Sequence, residues 1–330
     1  MPPGEAPVFC PLMCPHDWIG ELVQRDLVES MVLTDHHRDL FHEWTLSALT
    51  VDGELYGMPT TVDTAALWRN TRLAPVAPRT VDELIEHGGA LKASGLVDEV
   101  LAVRVGPSGD PFQIWPLFTS AGGWLFKRSP TGGWETGVVG LDTPESVRAF
   151  ARLRELGEQG LGLLRRSTGR EEAFDSFLRG RTPYLISSSD AFLHLDGRMP
   201  TLAVGPVPPF EGGRRARGFG LVHGFVIRKN ATNKIVAQDL FADYLTHERV
   251  MSALSRSSGA PTALRDAPAV HPALADFSLL CENADPMPTL PRMGQVWRVL
   301  ERAEIAVVTG VPADRVAREA AARVTEVLRG

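Results

Sequence analysis

The stretch Asp285-Pro286-Met287-Pro288-Thr289-Leu290-Pro291-Arg292-Met293-Gly294-Gln295-Val296-Trp297 reads as a proline-rich loop that delivers a tryptophan at the head of a helix. A second stretch, Glu54-Leu55-Tyr56-Gly57-Met58-Pro59-Thr60-Thr61-Val62-Asp63, runs on to Trp68-Arg69-Asn70. It reads as a strand that ends in a carboxylate and then continues as another strand. An indole face stacks on the apolar faces of a sugar ring, and carboxylate oxygens accept from vicinal hydroxyls, so the two together suit a saccharide.

Bulk properties bound the answer. At 330 residues the chain is long enough for two domains, each with its own core. It is 44% hydrophobic and 22% charged, ordinary for a globular protein. A net charge of −6 argues against a nucleic-acid footprint. Three cysteines, Cys10, Cys14 and Cys281, make no disulfide framework. Cys10 and Cys14 lie in an apolar run and read as buried thiols, with a metal pair as the lesser alternative. No stretch approaches the ~18–20 apolar residues of a membrane span. The opening Met1-Pro2-Pro3-Gly4-Glu5-Ala6 has neither the basic nor the apolar region of a secretory signal.

Strand and helix patterns alternate along the chain, which argues α/β layers. Residues 6–13 read as a buried strand. Residues 18–28 read as a helix with Ile19, Leu22, Val23 and Leu27 on one face. Thr80 is an N-cap for 81–93, with Glu83 at capping-box spacing. Residues 101–105 read as a strand, and a helix begins after Pro111. Residues 129–137 read as a loop or hairpin. Thr143-Pro144-Glu145 opens a helix with proline at its first position. Residues 171–179 read as a helix, and 182–187, 201–206 and 221–228 as strands. Residues 233–246 read as a helix that buries Ile235, Val236, Leu240, Phe241 and Leu245. Helices at 293–304 and 313–328 close the chain.

Two further blocks extend the pattern: Asp110-Pro111-Phe112-Gln113-Ile114-Trp115-Pro116-Leu117, followed by Gly122-Gly123-Trp124-Leu125-Phe126-Lys127, and the run 220–229 leading into the helix at 233. In this order the blocks resemble the solute-binding proteins of ABC-type sugar importers, especially the maltose- and maltodextrin-binding branch. The resemblance implies an α/β, two-lobe periplasmic-binding-protein-like fold (type II) whose discontinuous lobes are joined by a three-crossing hinge. One lobe would hold 1–61 and 222–266 and the other 66–218 and 272–330, with crossings near 62–65, 218–221 and 266–272.

The same resemblance implies a carbohydrate bound between the lobes and delivered to membrane permease subunits. It implies a monomer outside the cytoplasmic membrane, with no cofactor and no enzymatic activity. Trp297 would stack on the sugar, the other reading being a core aromatic. Asp63 matches a hydroxyl-binding glutamate, the other reading being a hinge-cap carboxylate. Asp110 and Phe112 match a cleft carboxylate and aromatic, although Asp110 could instead cap the helix after it. His16 and Asp17 match a cleft-lining pair, with Trp18 as an added wall or a packing residue. Asp190, flanked by Ser187, Ser188 and Ser189, stands where the family stacks a tryptophan, which implies a shorter or more polar ligand than a maltodextrin.

The match departs from the family at its start. The first lobe holds about half as many residues as the second. The family's opening strand–helix–strand has no counterpart, so apolar surface and a sheet edge are expected to lie open there. Three readings stay open: a misassigned start, a truncated remnant, or a short form with a regulatory or binding role inside the cell. The carboxylates Asp63, Asp110 and Asp190 could in principle form a glycosidase pair, but nothing in their spacing raises one pKa over another.

Overall fold

The computed structural model describes residues 11–129 and 133–329. Close packing divides the chain into two compact units. Unit 1 gathers Met1–Asp63, Gly220–Cys281 and Pro286–Gly294; unit 2 gathers Thr64–Phe219, Glu282–Asp285 and Gln295–Gly330. Residues 272–281 and 286–294, expected with 66–218, thus pack with unit 1. The reason lies in specific bonds: Thr289 Oγ1 donates to Ala48 O at 3.0 Å, and the His16 ring lies 2.8 Å from Met287 O. Helix Ile19–Gln24 also runs tight against the proline-rich loop. A Cβ on Gly20 would sit 2.6 Å from the Leu290 carbonyl carbon, so only glycine fits.

Unit 1 is organised on the long strand Phe219–Arg228, whose residues alternate in burial with period two as a pleated strand requires. Strand Pro11–Pro15 pairs antiparallel with it, Pro11 opposite Ile227 and Pro15 opposite His223. Strand Met58–Asp63 pairs on the other edge, Met58 opposite Phe225 and Asp63 opposite Leu221. The register shifts between His223 and Gly224, where Leu49 presses on the sheet: a Cβ on Gly224 would lie 2.9 Å from Leu49 Cδ1. Ile19, Leu49, Met58, Val222, Val226, Met251 and Phe277 fill the core.

Three expectations fail in this unit. Residues 6–10 lie outside the described residues, but Leu12 and Met13 are 41% and 50% exposed, so the strand is not buried. Among the described residues it pairs only with the long strand, which leaves its other edge unpaired. The helix at 18–28 is shorter than expected. A 3-10 turn His16–Trp18 leads into Ile19–Gln24, the chain reverses at Asp26 with φ +51°, and Val28–Glu29 becomes a strand against Arg228 and Ile227. Tertiary pairing has overridden the helical period there. Helix Lys234–Tyr244 buries Phe241, which stacks on Phe225 at 5.8 Å between ring centroids, but leaves Ile235 77% and Val236 66% exposed. Leu12 and Leu27 line a groove with Leu22 and Val28.

Unit 2 holds a four-stranded sheet in the order Leu202–Gly205, Ala66–Asn70, Tyr184–Ser187, Ala102–Val103. The last pair is parallel and the others are antiparallel. Trp68 is fully buried and its indole donates to Ser187 O at 3.1 Å. The Tyr184 hydroxyl meets His87 Nδ1 at 2.9 Å. Helix Val81–Ala93 starts as its sequence requires, with the Glu83 amide donating to Thr80 Oγ1 at 3.0 Å. The Glu83 carboxylate reaches back to the Arg79 amide, one residue earlier than a capping box would place it. Helix Pro144–Leu156 turns Ala149, Phe150, Leu153 and Leu156 inward, and Phe126–Arg128 forms a hairpin with Trp134–Val139. Among the described residues no helix is long and apolar enough to cross a membrane.

The open apolar face of helix Lys234–Tyr244 generates a test. Replacing Ile235 with Lys and Val236 with Glu is expected to reduce self-association in light scattering and to leave melting within about 0.5 kcal/mol of the parent. A large loss of stability would mean that this face is packed in solution.

Candidate functional site

Unit 2 holds the candidate residues Trp297, Asp110, Phe112 and Asp190. Trp297 lies in the second turn of helix Met293–Val308, half-buried, at the end of a run of aromatic rings. Its ring centroid is 5.9 Å from that of Phe219. Phe219 stacks on Trp115 at 4.5 Å, Trp115 meets Phe118 at 5.0 Å, and Phe118 meets Phe150 at 4.8 Å. Four of the five rings are buried, so the run anchors Trp297 while leaving part of its indole accessible.

Asp110 precedes helix Pro111–Ser120, with proline at the first helical position. Its side chain makes no cap hydrogen bond. It pairs instead with Arg104, Nε to Oδ2 at 3.0 Å, the acid 12% and the guanidinium side chain 46% exposed. Burial pushes the Asp110 carboxyl up to about 6, against the pull of Arg104 and with a further push from Asp190. Phe112, one residue past Pro111, is half-buried. Asp190 opens the short helix Asp190–Leu195. Its Oδ2 takes a hydrogen bond from Arg170 Nε at 2.9 Å, and its Oδ1 takes bonds from Ser187 and Ser188 hydroxyls at 3.1 and 2.8 Å. Both oxygens therefore serve inside unit 2.

In unit 1, Asp17 and Trp18 follow the strand Pro11–Pro15 through the 3-10 turn. Asp17 Oδ1 is buried without a hydrogen-bond partner, and burial pushes the carboxyl up to about 6. Trp18 is 52% exposed. Asp63 ends strand Met58–Asp63 and is 8% exposed.

His16 departs from its expected place on a cleft wall. It is fully buried, Nδ1 accepts from the Val222 amide at 3.0 Å, and Nε2–H donates to Met287 O at 2.8 Å. Burial lowers its pKa to about 4, which keeps the ring neutral, as this bonding requires. With both nitrogens bonded, His16 is a structural residue of unit 1.

Reading the sequence missed Arg104, Arg170 and Glu304. The two arginines carry no local signal, since their acids are 6 and 20 positions away. Glu304 carried one: it interrupts the buried apolar stripe Val296, Leu300, Ala303, Val307.

Comparison with known proteins completes the picture. Residues 1–278 match the family described as bacterial extracellular solute-binding protein. The chain belongs to that family. Trp297 and Glu304 lie beyond the matched residues. A maltotriose-binding protein of Pyrococcus abyssi (strain GE5 / Orsay) is 24% identical over 316 residues, covering 90% of this chain and 64% of the relative. The chain thus spans under two thirds of that relative's length. A galactooligosaccharide-binding protein of Bacillus subtilis (strain 168) is 22% identical over 323 residues, covering 91% of this chain and 72% of the relative. A maltodextrin-binding protein, MdxE, of the same Bacillus strain is 23% identical over 308 residues, covering 90% and 71%. The family and these relatives are binding proteins, not enzymes.

Asp17 yields a pH test. Its carboxyl titrates at about 6 in the fold against 3.8 in the unfolded chain. The raised value means that stability is fully present below pH 3.8 and declines as pH rises toward 6. Asp17→Asn removes this decline. The stability gap between variant and parent is expected to widen by on the order of 1–3 kcal/mol across that window and to stay flat above it. A gap that does not change with pH would show Asp17 to be ordinary and solvated.

Proposed function

We propose that this chain is the carbohydrate-binding component of an ABC-type importer, acting as a monomer outside the cytoplasmic membrane and delivering a short saccharide to permease subunits. Family membership supports the binding role, and three relatives named for oligosaccharides support the ligand class. The observation that carries the reading is Trp297, an indole held half-exposed by a run of buried rings, on the unit that also holds the Asp110–Arg104 pair. An anchored aromatic face and a charged donor–acceptor pair on one unit are the chemistry of sugar recognition.

In this reading Trp297 and Phe112 stack on sugar faces. The Asp110–Arg104 pair takes vicinal hydroxyls. Asp63 is retained as a ligand-facing residue on the strength of the resemblance. Asp190 acts by holding Arg170. Two accessible rings on unit 2, with no third at Asp190, favour a di- or trisaccharide over a long maltodextrin.

Titration calorimetry with maltotriose, longer maltodextrins and galactooligosaccharides tests this. Binding of a short member is expected, without turnover. Trp297→Ala is expected to weaken it by about 1–3 kcal/mol, roughly 5- to 150-fold, with melting unchanged. If the same change instead costs about 3–5 kcal/mol of stability at unchanged affinity, Trp297 is a core residue and leaves the site.

A further inference from the structure

Beneath Asp110 lies a carboxyl group for which the binding site as described has no use. Glu304 is 2% exposed, and neither carboxylate oxygen has a hydrogen-bond partner. It lies on the stripe of helix Met293–Val308 that carries Trp297 and Glu301, seven and three residues earlier. The Gly109–Asp110 turn rests directly on this stripe. Gly109 has φ +89°, and a Cβ there would meet Glu301 O at 2.8 Å and Glu304 Oε2 at 3.2 Å. The Asp110 amide is directed at the Glu304 carboxyl but falls short of hydrogen-bond geometry.

The surroundings decide the charge state. The groups facing Glu304 are Asp110 and Glu301, which repel a second anion, and Arg104, which is already bonded to Asp110. Asp190 adds a further negative charge beside Asp110. An ionised Glu304 would be a buried, unpaired charge next to another carboxylate, whereas the neutral acid can be accommodated there. Burial accordingly holds its pKa well above the usual glutamate range.

We propose that Glu304 is a positioning residue for Asp110: buried without a partner directly under the Gly109–Asp110 turn, it seats Asp110 for ligand binding, and a negative charge placed on it unseats Asp110 and ends binding. The binding part rests on the carbohydrate reading above. Asp110, bonded to Arg104, ionises first as pH rises, and Glu304 follows. Binding therefore has an acid limb set by Asp110, at about 6, and a second, more alkaline limb set by Glu304.

The test uses the full chain and two variants, with maltotriose as the probe. Affinity of the parent is expected to fall once Glu304 ionises, by about tenfold per pH unit, whereas its melting temperature falls earlier, as pH rises from the unfolded glutamate value of 4.5 toward the raised folded one, and levels off above that. Glu304→Gln, neutral at every pH, is expected to keep the acid limb and lose the alkaline one. Glu304→Asp, which retains the titration, is expected to keep both limbs. An unchanged alkaline limb in Glu304→Gln overturns the proposal. So does a Glu304 side-chain carboxyl that titrates in the ordinary range by carbon-13 NMR of the parent, a measurement that needs no variant to fold. If the melting profiles behave as expected but neither maltotriose, maltodextrin nor galactooligosaccharide binds at any pH, the carbohydrate reading falls, and the binding half of this proposal with it. The proton-holding half then stands on the melting data.

Discussion

Unit 1 depends on one uncharged imidazole. His16 joins the turn after the first described strand to the Val222 amide, 206 positions on, and to the Met287 carbonyl, 271 positions on. Three segments that are remote in the chain meet at one ring, buried where water cannot supply a substitute bond. The ring must accept at Nδ1 and donate from Nε2, which only the neutral form can do. Burial supplies that neutrality by lowering its pKa to about 4. The proline-rich loop ahead of Trp297 is placed through this bond and through Thr289 to Ala48.

Unit 2 solves a different problem: holding a large aromatic partly in water without letting it collapse inward. The run Phe150, Phe118, Trp115, Phe219 packs ring on ring up to Trp297. Tilted and offset pairs of this kind are mutually attractive. Burial of the first four fixes the last. Because Phe219 opens the long strand and Trp115 lies in helix Pro111–Ser120, the same run also ties the Asp110 helix to the Trp297 helix.

Local chemistry was legible in the sequence where neighbours in the chain decide the outcome. Thr80 caps its helix, proline opens helices Pro111–Ser120 and Pro144–Leu156, and the inward face of the latter follows its 3.6-residue period. It failed where distant partners decide. The helical period of 18–28 lost to pairing of Val28–Glu29 with the long strand. Ile235, Val236 and Leu240 carried an apolar pattern but found no partner among the described residues. Trp297, Asp110 and Phe112 enter the proposed site through motif resemblance alone. The arginines that claim Asp110 and Asp190 were not legible, because an ion pair across a fold leaves no periodic trace.

Those arginines change the hydrogen-bonding sense of the unit 2 surface. The acid of the Arg104–Asp110 pair is 12% exposed and that of the Arg170–Asp190 pair 31%, while the guanidinium side chains are 46% and 40% exposed. The arginine side chains are thus the more exposed partners of both pairs. In the carbohydrate reading proposed above, a polyol would meet such arginines chiefly through its oxygen lone pairs rather than its hydroxyl protons. Planar, rigidly braced donors of this kind register where those oxygens point, so axial and equatorial epimers of one sugar present themselves differently to the same surface.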